Sequence, residues 1–279
     1  MENKFGQFNN RKISDKICEI HKVNLWLITH PISGTTDYKT SEMCPECTRE
    51  AIQQKENELI EQSRNSTIYL KTYNVLMNDS TLSDEQKEET CFGSFIVKTA
   101  EEQRFLEFAK GQVVKYLNGM VGNTLITGGT GVGKTHLIVS FAKELNEAYK
   151  AKGEPKSVLF VNLTEILREI RESFKFSSKE GYYSRKLREV DYLILDDLGV
   201  KLGNQSNFSK SAWEEEFIFD VLSHRSNTII TTNLSNEEIT QLYSERVASR
   251  IRSGLEGNFF KVFGIKDKRY SINQLKSHV

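Results

Sequence analysis

The chain has 279 residues, room for one large or two modest domains, and its 38 Lys and Arg balance 38 Asp and Glu to a formal net charge of zero. A charged fraction of 27% is ordinary for a globular protein and excludes an overall polycation or polyanion. No apolar run approaches the roughly 20 residues of a membrane span, and no export signal is read at the N-terminus, so a cytoplasmic, reducing setting with no membrane contact is expected.

The first element is a pair of knuckles. Cys18 and His21 are separated by two residues, as are Cys44 and Cys47, with 22 residues between the pairs. A two-residue gap lets both side chains of a knuckle reach one ion, and two knuckles close a tetrahedral shell. Three thiolates and an imidazole leave no open position, so a structural Zn²⁺ is expected. His30 is the alternative fourth ligand, and Cys91 is left over as an ordinary half-buried thiol. From Thr48 the chain becomes polar and helical, with Ile52, Leu59 and Ile60 as a thin apolar stripe for the zinc module or for a partner helix. Residues 78–90, NDSTLSDEQKEET, are acidic and turn-rich and read as a linker. The expected organisation is a zinc-binding module over 1–64, a helical and acidic linker over 65–91, and a third part over 92–279.

From residue 92 strands alternate with helices. NTLIT (123–127), SVLFV (157–161), DYLIL (191–195) and NTIIT (227–231) are apolar runs of buried parallel strands. The helix over 134–149 shows one stripe of Leu137, Phe141 and Leu145, with Ile138 and Ala142 beside it. This alternation predicts an α/β fold with a parallel sheet covered on both faces.

Between the first of these strands and its helix lies GGTGVGKT, the phosphate-binding P-loop pattern. Gly128, Gly131 and Gly133 let the backbone turn its amides inward, with Gly129, Thr130, Val132 and His136 completing the candidate ATP contacts, and the helix N-terminus adds positive potential. Lys134 is expected to reach the β- and γ-phosphates and Thr135 to supply an oxygen to Mg²⁺. YLILDDLG (192–199) ends a buried strand in Asp196 and Asp197. It resembles a Walker B motif, with Asp196 assigned to Mg²⁺ and Asp197 to the attacking water. The strand ending NTIITTN offers Asn233, or else Thr232, to sense the γ-phosphate, unless Asn233 or Ser235 caps the next helix.

Together GGTGVGKTH, YLILDDLG, IITTNL and RVASRIR resemble the AAA+ ATPases of the bacterial and phage helicase-loader family, the DnaC and DnaI type, over about residues 92–279. The resemblance implies a five-stranded parallel sheet ending in the short strand FFKVFG. It also implies ATP hydrolysis with Mg²⁺, self-association through the ATPase domain, and a DnaB-type replicative helicase and single-stranded DNA as partners. The zinc knuckles resemble the helicase-engaging N-terminal domain of DnaI-type loaders. By the same resemblance Arg250 or Arg246 reaches a neighbouring subunit's γ-phosphate, Arg250 being favoured, and Arg269 acts as a second sensor. An IstB-type transposition ATPase, a non-catalytic, nucleotide-stabilised adaptor and a small-molecule P-loop kinase are the rival readings. Residues 240–279 carry a net charge of +5, and residues 41–91 one of −6. The basic end is a candidate phosphate-contacting face. The polar loop 201–211, with Lys201 and Lys210, is either a single-strand contact or a plain surface loop.

Overall fold

The structure is a computed structural model that describes residues 12–34, 36–174, 179–199 and 212–269. Loop 201–211 therefore lies outside the described residues. The chain divides into two compact units, Met1–Thr67 and Ile68–Val279.

The first unit carries a three-stranded antiparallel sheet, β1 (Lys12–Ile17), β2 (Asn24–Pro31) and β3 (Tyr38–Met43), in the order β1-β2-β3. It is followed by the helix α1 (Pro45–Lys71), whose last residues, from Ile68, belong to the second unit. The sheet buries little: Ser14 is the buried residue of β1, and Ile13 and Ile17 on the same strand are exposed. No residue of α1 is buried, and the stripe Ile52, Leu59 and Ile60 faces solvent. So thin an apolar core gives the sheet and the start of α1 little hydrophobic stabilisation of their own.

In the second unit a five-stranded parallel sheet runs in the order β5-β6-β7-β4-β8, formed by β4 (Thr124–Thr127), β5 (Val158–Asn162), β6 (Tyr192–Leu198), β7 (Thr228–Thr232) and β8 (Phe259–Lys261). The four apolar runs of the sequence become β4 to β7, and FFK supplies β8. Leu159, Leu193, Ile194, Ile229 and Ile230 are fully buried, as strands covered on both faces require. On one face lie α4 (Ala100–Leu117) and α5 (Lys134–Ala151), whose Phe105, Leu137, Phe141 and Leu145 join the core cluster beneath them. The other face holds α6 (Leu163–Ser173), α7 (Glu180–Glu189), α8 (Ala212–Ser223), α9 (Asn236–Leu242) and α10 (Glu245–Ile251), with Ile166, Leu187, Phe217, Ile239 and Val247 in a second cluster. Each of these buried side chains contributes roughly 1.5–3 kcal/mol relative to exposure, so the sheet core is the main stabilising mass of this unit.

Residues 78–90, read from the sequence as a linker, are part of the packed unit. They span the end of α2 (Val75–Asp79) and α3 (Asp84–Glu88). Leu82 enters the core, and the Thr81 N–H donates to the Phe160 carbonyl at 3.0 Å while the Ser80 hydroxyl accepts from the Phe160 N–H at 2.9 Å. The segment thus docks along the outer edge of β5, where an unpaired strand edge needs partners. Cys91, expected to be half-buried, is exposed at the start of the 3₁₀ turn Phe92–Ser94. Among the described residues no helix is long and apolar enough to cross a membrane.

Candidate nucleotide site and metal centre

The loop 128–133 joins β4 to α5, with Gly133 in the left-handed region (φ +95°) as the N-cap of α5. A Cβ there would approach the Phe95 ring at 2.8 Å, so this position needs glycine for both conformation and space. Gly131 is similarly confined: the Asp267 carboxylate occupies the place of its missing side chain, and its carbonyl accepts from the Lys268 N–H at 3.0 Å.

At the head of α5, Lys134 is 6% exposed. Its Nζ donates to the carbonyls of Gly128 (2.8 Å) and Gly129 (2.7 Å) and to Asn233 Oδ1 (2.6 Å). Burial pulls the ammonium below the usual lysine range, and Asp197 and Asp196 partly offset that. Thr135 Oγ1 donates to Asp196 Oδ2 at 2.8 Å, and Thr231 Oγ1 donates to Asp196 Oδ1. Asp196 is 1% exposed; burial pushes its carboxyl up, with the two hydroxyls and Lys134 pulling the other way and Asp197 adding to the rise. Asp197 stands beside it with φ +59°, a conformation that few residues other than glycine, Asn and Asp accept.

The structure brings together the P-loop, both acids and the tip of β7. The candidates at that tip differ in their hydrogen bonds. Ser235 caps α9 in a reciprocal pair with Glu238, which leaves Asn233 for Lys134. Thr232 is fully buried and donates to the Leu198 carbonyl at 2.6 Å. His136 lines the same cavity as the phosphate loop; its Nε2 donates to the Cys91 carbonyl at 3.1 Å, and its ring lies 5.5 Å from that of Phe95. A cavity of 690 Å³ opens over these groups, with Thr130, Gly131, Gly133, Lys134, Thr135, Asp197 and Asn233 on one side. Phe95, Ile96, His136, Lys268 and Arg269 line the other.

Phe95, Ile96 and Lys268 escaped the sequence reading. Lys268 stands over the Phe95 ring at 3.7 Å, donates to the Ile96 carbonyl at 2.7 Å and pairs with Glu102 at 3.0 Å. Its only signal in the sequence was its place beside Arg269. Thr231 was also missed, because a buried β-branched residue reads as an ordinary strand former. The cavity and the hard-oxygen pair Thr135 and Asp196 suit a nucleotide with Mg²⁺.

The two arginine candidates of α10 differ. Arg246 donates to Glu216 at 2.5 Å and lies over the Phe219 ring at 4.4 Å. Arg250 is exposed at a separate cavity with Glu245, Ser249 and Arg252, and makes no ion pair among the described residues.

In the first unit, Cys18 follows β1, His21 sits in the turn before β2, Cys44 follows β3, and Cys47 lies in the first turn of α1. Their ligand atoms all lie within 4.8 Å of one another. Cys18 Sγ is 3.8 Å from Cys47 Sγ, and His21 Nδ1 is 3.3, 3.7 and 3.9 Å from the sulfurs of Cys47, Cys44 and Cys18. Zn–S bonds of about 2.3 Å and Zn–N bonds of about 2.0 Å give tetrahedral edges of about 3.8 Å between sulfurs and about 3.5 Å between sulfur and nitrogen. The residues fit such an ion. His21 Nε2 meets Glu50 Oε1 at 3.1 Å, an outer carboxylate that would leave Nδ1 to face an ion among the sulfurs. His30 is exposed on β2 and outside the group, so the alternative ligand falls away.

The profile of the bacterial DnaA ATPase domain matches residues 86–258. The replicative helicase loader DnaC of Escherichia coli K12 is 29% identical over 168 residues, 58% of this chain and 63% of that protein. The chromosomal replication initiator DnaA of Wolinella succinogenes is 30% identical over 166 residues, 59% of this chain and 35% of that protein. The chain thus spans less than two thirds of these relatives. A solved DnaI structure superposes with a TM-score of 0.51 at 22% identity, covering 68% of this chain and 95% of that one. A solved structure from Streptococcus pyogenes gives 0.51 at 20%, covering 67% and 92%. Both likenesses concern the fold.

Proposed function

The chain belongs to the family of the bacterial DnaA ATPase domain, and from that premise we propose that it is an ATP-dependent loader that delivers a DnaB-type replicative helicase onto single-stranded DNA. The observation that carries the ATPase half is the convergence of Lys134, Thr135, Asp197 and Asn233 on one cavity, with the buried Asp196 bonded to Thr135. Lys134 exchanges its carbonyl and Asn233 contacts for the β- and γ-phosphates, and Gly129, Thr130, Gly131, Val132 and Gly133 offer backbone amides to them. Thr135 and Asp196 hold Mg²⁺, which when bound neutralises charge on the transferring phosphoryl group. Asp197 orients the attacking water, and its left-handed backbone turns the carboxylate out of the strand. Asn233, released by Lys134, donates its side-chain N–H to a γ-phosphate oxygen. Arg269 reaches the same cavity from the C-terminal side, and Arg250 serves the site of a neighbouring copy in a self-assembled ring or spiral.

The helicase half rests on the likeness to DnaC and on the separate N-terminal unit. Zn²⁺ held by Cys18, His21, Cys44 and Cys47 ties β1, β3 and α1 into one rigid handle for the helicase. The exposed stripe of α1 is consistent with that role. Single-stranded DNA is assigned to the second unit, whose last forty residues carry the basic excess. Co-purification with the helicase of the same organism, with and without ATP, tests the proposal: capture that ATP modulates supports it, and no capture in either condition refutes it.

A further inference from the structure

β6 and β7 pair in register up to Leu195 and Ile230 and resume at Leu198 and Thr232. Two residues of β6, Asp196 and Asp197, therefore stand opposite one residue of β7, Thr231. This is a β-bulge, a device that re-aims side chains beside active sites at the expense of a ladder hydrogen bond. Thr231 repairs it with its side chain. Its hydroxyl, fully buried, accepts from the Asp197 N–H at 3.2 Å and donates to Asp196 Oδ1. One hydroxyl thus holds the backbone of one acid and the carboxylate of the other. The remaining oxygen of Asp196 is left to Thr135, its partner in the candidate Mg²⁺ site.

We propose that Thr231 is the positioning residue of the acid pair, fixing the Asp196 carboxylate toward Thr135 and locking the left-handed turn that aims Asp197. The inference rests on the ATPase reading above. Without the hydroxyl, Asp196 is free to rotate away from Thr135, and the Asp197 N–H has no partner to hold the bulge. Both faults act on Mg²⁺ and on the water, and neither touches the phosphate loop.

The test compares the wild type, Thr231→Val, which keeps the shape and loses the hydroxyl, and Thr231→Ser, which keeps the hydroxyl. The readouts are the Mg²⁺ concentration at half-maximal binding of a fluorescent ATP analogue, turnover, and the melting temperature. Thr231→Val is expected to raise the half-maximal Mg²⁺ concentration about tenfold, as loss of an outer-shell partner does, and to lower kcat with little change in KM. Thr231→Ser restores most of both. A folded Thr231→Val protein with wild-type Mg²⁺ dependence and kcat overturns the proposal, even if its melting temperature falls, since that marks a purely structural residue. So does a Thr231→Ser protein as impaired as Thr231→Val. A wild type without Mg²⁺-dependent turnover overturns the ATPase reading itself, and this proposal with it.

Discussion

Lys134 Nζ lies 2.6 Å from Asn233 Oδ1, so the P-loop lysine at the start of α5 and the polar tip of β7 are already joined across the sheet end where a γ-phosphate would sit. That contact predicts separable effects. Asn233→Ala should keep most ATP affinity, because the loop amides and Lys134 remain, and should lower turnover by about 10²–10³, the usual cost of one preorganised polar contact to a developing charge. Lys134→Ala should abolish binding or turnover. Equilibrium binding of a fluorescent ATP analogue and phosphate release, measured on the same preparations, separate the two.

Asp197→Asn should bind ATP and hydrolyse it poorly. Losing the carboxylate removes transition-state stabilisation while most ground-state phosphate contacts stay in place. Asparagine also tolerates φ +59°, so the turn is preserved and the comparison isolates charge. Unchanged turnover in this variant moves the water-orienting role to another residue.

The burial of Asp196 works against stability. Burial raises its carboxyl above the ordinary value, so in the window between its unfolded and folded values the native state binds more protons than the unfolded chain. Stability therefore falls as pH rises from the unfolded toward the folded value, and burying this carboxyl is a cost at neutral pH. Asp196→Asn should raise the melting temperature at neutral pH, by about 2–4 °C for each kcal/mol recovered, and should abolish Mg²⁺-dependent turnover. Scanning calorimetry without nucleotide checks the first, and a lower melting temperature contradicts it.

The metal centre should hold one Zn²⁺ per chain. Cys44→Ser should lose the ion and loosen the first unit, while nucleotide binding survives, because the second unit has its own sheet core. Elemental analysis of freshly purified protein and ATP-analogue binding are the measurements.

The strands β4 to β7 were legible because buried parallel strands are continuous apolar runs, and the P-loop because its glycines and lysine have fixed spacing. The knuckles were legible for the same reason, and the structure gathers Cys18, His21, Cys44 and Cys47 as their spacing implies. Other features depend on partners distant in sequence. The stretch 78–90 looks like a linker from its acidic residues, yet Leu82 and the bonds of Ser80 and Thr81 to β5 decide its fate. The sheet β1-β2-β3 lacks a buried face from which a period of two could be read. Thr231 is invisible as a functional residue until the bulge places it opposite both acids.

The most direct test of the whole account is helicase transfer to circular single-stranded DNA, scored as helicase retained on the circle after a high-salt wash. ATP-driven loading requires that the wild-type chain with ATP deposits helicase on the circle and that Lys134→Ala does not. Equal deposition by the wild type and Lys134→Ala, or none by the wild type with ATP, contradicts it.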